Sequence, residues 1–289
     1  MLTHKTLSDR YKGILYAAIA ALMWSSGGLL IKLIDWNPIA IAGSRSFIAA
    51  IVLFIYVRKP KITKSKSQII GACAYSATVI CFVVANKLTT PANAILLQFT
   101  APIFVAILGA WLLKEKIKGI DIVAIIVVFL GMLLFFVQNL IPGHALGNII
   151  AILSGFFLAS TTVAFRFQKD GSAIESTLFG NILTFIIALP FIFKTSFDIS
   201  SVILILILGL FQLGISYIFY VNSLKYITAL EAILITVLEP LLNPLWVFLF
   251  TGESPNLLSI FGGIIVICAV IGRGIYISKK EINKESCQI

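Results

Sequence analysis

Long apolar segments separated by short polar loops are the dominant pattern along the chain. A helix needs about 20 predominantly apolar residues to cross the hydrocarbon core of a bilayer. Runs such as ILLQFTAPIFVAILGAWLL lack the apolar and polar alternation of a membrane-spanning strand, so helices are favoured over a barrel. Ten segments are predicted to be spans: 12–34, 38–57, 68–86, 92–113, 120–138, 146–165, 174–193, 200–221, 229–250 and 257–277.

Composition also indicates an all-α integral membrane protein. Apolar residues make up 60% of the 289 residues, charged residues make up 12%, and the mean hydropathy is +1.05. An ordinary soluble domain has about 45–50% apolar and about 25% charged residues. A soluble fold could not bury this excess, which excludes soluble enzymes. It also excludes soluble nucleic-acid-binding proteins, despite the net charge of +10.

The distribution of Lys and Arg predicts the orientation, because cytoplasmic loops are enriched in these residues. With the N-terminus inside, 18 of the 22 basic residues fall on the cytoplasmic side, in loops, terminal segments or the cytoplasmic ends of spans. Only Lys32, Lys87 and Lys194 fall outside, and Arg45 falls within a span. We therefore expect a multi-pass protein of the plasma membrane with both termini in the cytoplasm.

The two halves of the chain are similar at a regular spacing. Residues 90–115 (TPANAILLQFTAPIFVAILGAWLLKE) align with residues 228–253 (TALEAILITVLEPLLNPLWVFLFTGE) at an offset of 138 residues. Gly13 and Gly147 match near the start of each half, at an offset of 134 residues. This spacing predicts two five-helix repeats, formed by residues 1–140 and 141–289.

An odd number of spans in each repeat makes the repeats inverted. If the first repeat begins on the cytoplasmic side, the second begins on the external side. Inverted repeats around a site near the middle of the membrane are typical of secondary transporters, whose halves rock against each other to alternate access. The predicted topology therefore favours transport.

Four segments carry a resemblance to a known family. They are ALMWSSGGLLIK in the first span, GSRSFIAA with Arg45 in the second, TAPIFVAILGAWLLKE in the fourth and LEPLLNPLWVFLFTGE in the ninth. In this order the chain resembles the EamA-like branch of the drug/metabolite transporter superfamily along essentially its whole length. The resemblance implies a ten-helix, inverted-repeat carrier of small metabolites, driven by an ion gradient or by exchange.

Two ionisable residues lie near the middle of predicted spans, namely Arg45 and Glu239. Such a residue costs roughly 2.5–3.5 kcal/mol on insertion scales, so it needs a partner, a wet cavity or a function. One interpretation is a structural ion pair between the two. The other is that Glu239 faces a cavity, binds a cationic group and takes up a proton when that group leaves. If both are free, they suit a zwitterion.

Further polar residues accompany Glu239. Thr236, Asn243 and Trp246 follow a helical spacing that places them on the same face. A proline removes the hydrogen bond to the carbonyl four residues earlier. Pro240 is therefore expected to free the carbonyl of Thr236.

Pro102, the repeat equivalent of Pro240, is expected to free the carbonyl of Gln98 in the same way. Substrate contacts and helix breaks often share such places. The candidate substrate contacts are Glu239, Arg45, Gln98, Thr236, Asn243, Trp246, Trp24, Asn93, Tyr75, Tyr217 and Tyr220. The candidate gate or kink residues are Pro102, Pro240 and Glu231, and Glu239 is the candidate proton carrier.

We therefore expect a secondary active transporter, not an enzyme, that exports a small polar or amphipathic metabolite with a proton gradient or by exchange. The alternatives are a membrane-embedded lipid-handling protein or enzyme, and a facilitative channel-like permease. The chain has only two histidines and no P-loop pattern. We expect no cofactor and no metal site. The expected partners are a small-molecule solute, the lipid bilayer and H⁺ or another coupling ion, with the chain as monomer or homodimer.

Overall fold

The computed structural model describes residues 7–63, 65–138, 140, 142–168, 173–242 and 256–286. Regular structure in these ranges is helical, and several helices consist of consecutive pieces. In chain order they are α1 (Leu7–Trp24 and Gly27–Leu33), α2 (Pro38–Val57), α3 (Lys66–Leu88), α4 (Pro91–Gln98, Ala101–Leu108 and Gly109–Leu113), α5 (Gly119–Phe136), α6 (Ala145–Phe167), α7 (Ala173–Ile192), α8 (Ile199–Ile207, Leu208–Ile215 and Ser216–Ser223), α9 (Ala229–Ile235 and 238–242) and α10 (Leu257–Ser286).

Most of these helices are long and apolar enough to cross a bilayer. Within the described ranges this holds for α1 to α8 and for α10. The predicted ninth span, 229–250, is described only as far as residue 242. The all-helical membrane fold is thus confirmed, whereas the count of ten spans, the repeat boundaries and the side of the termini stay predictions.

Local signals in the sequence determine where helices begin. Asn37 caps α2 by accepting a hydrogen bond from the backbone N–H of Ile39 at 2.9 Å. Ser65 caps α3 by accepting from the N–H of Gln68 at 3.2 Å. Such side chains satisfy N–H groups that have no partner within the helix. The starts of these helices therefore depend on residues that are close in sequence.

Helices of one predicted repeat pack mainly against helices of the other. α3 packs against α6, and α1 packs against α8. α2 packs against α7, and α5 packs against α10. If α1 to α5 are exchanged in order with α6 to α10, the α3–α6 pair becomes the α8–α1 pair. The α2–α7 and α5–α10 pairs each map onto themselves. The packing therefore has a two-fold pseudo-symmetry.

Two equivalent glycines, Gly13 and Gly147, make room for a close contact between a helix and a loop in the two halves. A Cβ on Gly13 would lie 2.9 Å from Cγ2 of Ile227, and a Cβ on Gly147 would lie 2.9 Å from Cβ of Thr89. Ile227 and Thr89 are themselves separated by the repeat offset of 138 residues. Both glycines thus let a helix approach the loop before α9 or α4 without a clash.

The outward faces of the helices carry large apolar side chains. Ile55 is 68% exposed and Trp111 is 75% exposed. Many polar side chains are instead buried among the helices, including Arg45 and Glu239. This is the reverse of a soluble protein, and it directs attention to the polar interior.

Candidate functional site

Equivalent threonines start the two helices that carry most of the predicted site. The hydroxyl of Thr90 accepts a hydrogen bond from the backbone N–H of Asn93 at 3.1 Å, at the start of α4. The hydroxyl of Thr228 accepts from the N–H of Glu231 at 3.2 Å, at the start of α9. The same cap therefore begins both helices, and Asn93 and Glu231 occupy equivalent positions.

Both helices are interrupted just before a proline, Pro102 in α4 and Pro240 in α9. α4 turns at residues 99–100 and α9 turns at residues 236–237. The carbonyl of Thr236, which cannot bond to Pro240, accepts from the N–H of Glu239 at 2.9 Å. The turn thus satisfies the freed carbonyl and brings the Glu239 side chain to the start of the next helical piece.

Gln98, at the break in α4, is held by α6. Its amide nitrogen donates to the hydroxyl of Ser154 at 2.7 Å, and Ser154 donates to the carbonyl of Thr78 at 3.3 Å. The Gln98 carbonyl, which Pro102 frees, lies against Gly155, where a Cβ would come within 2.6 Å of the carbonyl oxygen. α6 therefore supplies a hydroxyl for the amide and space for the carbonyl.

The two broken helices border one small internal cavity. The volume open to water is about 40 Å³, which is room for a few water molecules at ~10–15 Å³ each. The cavity is therefore small in this conformation. Helices from both predicted repeats contribute its lining, which consists of Trp24, Arg45, Thr78, Val79, Phe82, Gln98, Leu158, Gln212, Leu213, Tyr217 and Glu239.

The two predicted membrane charges line this cavity but do not pair. Arg45 is 1% exposed and Glu239 is 7% exposed. Nη1 of Arg45 donates to Oε1 of Gln212 at 2.7 Å, and Nε of Arg45 has no hydrogen-bond partner among the described residues. Within the same part of the chain, no ion pair joins Arg45 to Glu239 and the Glu239 carboxylate accepts no hydrogen bond. The interpretation of a structural ion pair is therefore wrong for this conformation.

Aromatic side chains form one wall of the cavity. The rings of Trp24 and Tyr217 line it directly, with centroids 5.0 Å apart. Tyr220 and Tyr75 pack behind them, 4.9 Å from Trp24 and 4.7 Å from Tyr217, respectively. The hydroxyl of Tyr75 accepts from Asn181 at 2.9 Å, so this second layer is held by its own hydrogen bonds.

Some of the predicted substrate contacts are not among the residues that line the cavity. The hydroxyl of Thr236 donates to the carbonyl of Ile233 at 2.9 Å, and Thr236 is not part of the cavity lining. Asn243 and Trp246 lie outside the described residues. Asn93 is buried at the start of α4, away from the cavity lining.

Asn93 belongs to what we call the amide cluster, formed by Thr89, Asn93 and Asn148. The Asn93 amide donates to the Thr89 hydroxyl at 3.1 Å, and that hydroxyl donates to Oδ1 of Asn148 at 3.0 Å. The cluster joins the α3–α4 connection to α6. It therefore links the two predicted repeats through uncharged groups.

Glu231, the equivalent of Asn93, belongs to what we call the charge cluster, formed by Arg10, Asp121, Glu231 and Arg273. Nη2 of Arg10 lies 2.5 Å from Oε1 of Glu231, and Nε of Arg273 lies 2.8 Å from Oδ1 of Asp121. Nη1 of Arg273 is 4.0 Å from Oε1 of Glu231. None of the four residues is more than 7% exposed. Two come from each predicted repeat, so this end of the bundle is linked by charge.

Sequence reasoning did not identify three members of the charge cluster as site residues. Arg10, Asp121 and Arg273 had the appearance of ordinary residues in loops or at span ends. Asp121 and Arg273 do fall inside predicted spans, 120–138 and 257–277, which was a usable signal. Among the described residues, no group of three or more His, Cys, Asp and Glu side chains could hold a metal ion.

Comparison with known proteins identifies several transporters as relatives. An uncharacterized transporter of Clostridium kluyveri is 26% identical over 94% of this chain and 95% of its own length. The pseudopaline exporter CntI of Pseudomonas aeruginosa is 23% identical over 90% of this chain and 94% of its own. Human solute carrier family 35 member G1 is 23% identical over 91% of this chain and 79% of its own.

The fold is also found among solved structures. One crystal structure, with 16% sequence identity, superposes with a TM-score of 0.76 over 90% of this chain and 96% of its own. The model of the EamA-like transporter family matches twice, at residues 11–137 and 145–273. The family and the relatives' names indicate transport rather than catalysis. The chain is a multi-pass membrane protein that belongs to the EamA-like transporter family.

Proposed function

We propose that the protein is a secondary active transporter that exports a small polar or amphipathic metabolite by alternating access, and that a zwitterion such as an amino acid suits its cavity best. The observation that carries this proposal is the pair of opposite charges, Arg45 and Glu239, which line one buried cavity without contacting each other. The relative named as a pseudopaline exporter supports a metabolite as cargo and export as the direction.

Desolvation makes two buried charges costly unless each has a partner of opposite charge. Moving a charged side chain out of water costs several kcal/mol, and a mutual ion pair would offset part of that cost. Arg45 and Glu239 do not use this option, although they share a cavity. A solute with a carboxylate and an ammonium group would provide each of the two side chains with an opposite charge. The cavity is thus suited to a ligand with two opposite charges.

The lining residues suggest an arrangement for such a solute. Its carboxylate binds the Arg45 guanidinium and its ammonium binds the Glu239 carboxylate. Its remaining part packs against the rings of Trp24 and Tyr217, which also favour a nearby cation through their π faces. The amide of Gln98 is held by Ser154 on the same wall and adds a polar contact.

Glu239 is the proposed point of proton coupling. When the ammonium group leaves the site, the carboxylate would remain as an uncompensated buried charge. Uptake of one proton from the external side neutralises it, and loss of that proton to the cytoplasm prepares it for the next solute. Each cycle then exchanges one zwitterion outward for one proton inward, so that the proton gradient drives export.

Glu231 is the proposed gate residue. The charge cluster ties the two predicted repeats together at one end of the bundle, and the amide cluster ties them at the other. Each cluster must open for the cavity to reach that side. The turns before Pro102 and Pro240 are the points at which α4 and α9 can change direction without losing helical hydrogen bonds.

The test is solute-dependent proton movement in proteoliposomes that contain a pH-sensitive dye and carry an imposed pH gradient. The solutes are amino acids, amines and nucleobases, and the proteins are wild type, Glu239→Gln and Asp35→Asn. Asp35 is an exposed carboxylate and serves as the matched control. We expect zwitterions to move protons with wild type and with Asp35→Asn, but not with Glu239→Gln.

Two results would contradict the proposal. Solute flux that is unchanged in Glu239→Gln would assign Glu239 a structural role and remove proton coupling. Flux of uncharged nucleobases in preference to zwitterions would contradict the assignment of the cavity. Glu239→Asp, which restores the carboxylate, should recover part of the coupled transport and shows that the Gln variant failed for lack of charge.

A further inference from the structure

The partner of Arg45 is an uncharged side chain in an unusual stretch of helix. Residues Leu208–Ile215 of α8 form π-helix, in which each turn is wider than in an α-helix. Such segments are rare, and they occur frequently at functional sites. Gln212 lies inside this segment and lines the cavity beside Arg45. The hydrogen bond of 2.7 Å between them is the one that the Arg45 side chain makes within the described residues.

The π-helical segment fits closely against α2. A Cβ on Gly209 would lie 2.7 Å from the carbonyl oxygen of Arg45, and a Cβ on Gly214 would lie 3.0 Å from Cβ of Val52. Glycines at these positions let the backbone of α8 approach the backbone of α2. The side chain of Gln212 is thereby brought to the guanidinium by the packing of two helices rather than by a mobile loop.

Gln212 also contacts the broken first helix. A Cβ on Gly27, where α1 resumes after its turn, would lie 2.6 Å from Nε2 of Gln212. The carbonyl of Gln212 accepts from the hydroxyl of Ser216, which in turn accepts from Nε1 of Trp24 at 2.8 Å. Gln212 therefore joins α1, α2 and α8 at the point where the charged and aromatic walls of the cavity meet.

A neutral amide and a carboxylate affect a neighbouring arginine differently. Its oxygen accepts a hydrogen bond and so fixes the guanidinium, but it carries no charge. A carboxylate at the same place would form a charge-assisted, bidentate pair and would neutralise the arginine. With Gln212 the guanidinium is oriented and keeps its full positive charge. Its Nε is left without a partner among the described residues.

We propose that Gln212 is a specificity-determining positioning residue, which orients Arg45 and leaves its charge for the carboxylate of the transported solute. This inference rests on the proposed function, because it requires a solute with a carboxylate. It predicts that the charge of the side chain at position 212, rather than the size of that side chain, decides whether the cavity prefers an amino acid or the corresponding amino acid amide.

The experiment measures competition in proteoliposomes between an amino acid and the corresponding amino acid amide, which keeps the ammonium group and loses the carboxylate. Wild type should prefer the acid. Gln212→Glu keeps the size and the hydrogen bond but compensates Arg45 internally. It should lower the acid-to-amide preference by about tenfold or more, in line with the strength of charge-assisted hydrogen bonds.

Gln212→Met gives a second variant that adds no charge to the interior. It removes the acceptor at similar size, so the apparent KM for the acid should rise about tenfold while that for the amide stays unchanged. Gln98→Glu is the matched control, since it adds the same charge to the same cavity on a side chain held by Ser154 instead of Arg45. It should change the preference clearly less than Gln212→Glu.

The outcomes separate the two proposals. A wild-type protein that does not prefer the acid contradicts the proposed zwitterion site, and Gln212 loses its role with it. A wild-type preference that survives in Gln212→Glu contradicts the role of Gln212 alone. The same is true if Gln98→Glu has an equal effect, or if Gln212→Met weakens transport of acid and amide alike.

Discussion

Glu231 and Glu239 lie on the same helix and are almost equally buried, at 6% and 7% exposure, yet their surroundings are opposite. Glu231 is held by Arg10 at 2.5 Å and lies 4.0 Å from Arg273. Glu239 has no ion pair among the described residues and faces a cavity. A paired buried carboxylate ties helices together, whereas a carboxylate without a partner among the described residues is available to a ligand. The difference separates a structural link that can open from a site that can bind.

The largest expected effect is that of Glu231→Gln. Removing one partner of a buried ion pair typically costs about 3–5 kcal/mol, because the remaining charge loses its compensation. Here Arg10 loses its ion-pair partner at 2.5 Å, while Arg273 loses a more distant carboxylate and keeps Asp121 at 2.8 Å. We expect a clear fall in the thermal midpoint of the purified protein and faster labelling of a cysteine placed at Ala106, next to the cluster.

Asp35→Asn is the control for Glu231→Gln, and it should leave both the midpoint and the labelling rate unchanged. Reversing the pair with Arg10→Glu and Glu231→Arg together should recover much of the stability lost in either single variant. No recovery, with a normal fold, would show that the link depends on more than the sign of the two charges.

A smaller effect is expected at the two equivalent glycines. Gly13→Ala and Gly147→Ala each introduce a methyl group 2.9 Å from a neighbouring side-chain carbon. Overpacking of this kind costs about 1–3 kcal/mol. The two variants should lose similar amounts of stability in thermal unfolding, because the geometry is repeated. A large loss at one site only would mean that the pseudo-symmetry does not extend to the packing energy.

The smallest effect is expected for Asn93→Ala, in the amide cluster. Neutral hydrogen bonds contribute about 0.5–1.5 kcal/mol each, which is less than a buried ion pair. The thermal midpoint should therefore fall less than in Glu231→Gln, although the two residues are equivalent in the repeats. An equal or greater fall would contradict the expectation that the charge cluster links the two repeats more strongly than the amide cluster does.

Sequence patterns were sufficient for features that depend on neighbours along the chain. Helix positions follow from apolar runs, and the structure adds caps such as Thr90 and Thr228 at the starts of α4 and α9. The repeats follow from matched residues, and the charges Arg45 and Glu239 stand out because they interrupt apolar segments. These signals can be read from the sequence without knowing which helices pack together.

Features that depend on distant partners could not be predicted in the same way. Arg10 and Glu231 are 221 residues apart in sequence, and Arg10 precedes the first predicted span like any basic residue near a terminus. Asn93 was a candidate substrate contact because it is polar at the start of a span, but its amide donates to Thr89 and to Asn148. The π-helix around Gln212 has no sequence signal that we used.

Whether Arg45 and Glu239 are kept apart for a ligand can be decided by the thermal midpoint of Glu239→Gln, measured with and without a zwitterionic solute. Without solute, we expect a midpoint equal to or higher than that of wild type, because the Glu239 side chain makes no ion pair with the described residues that the Gln variant would lose. We also expect the solute to raise the midpoint of wild type but not that of the variant. A lower midpoint without solute, as expected for Glu231→Gln, together with an undiminished solute effect, would show that the two residues are not kept apart for a ligand.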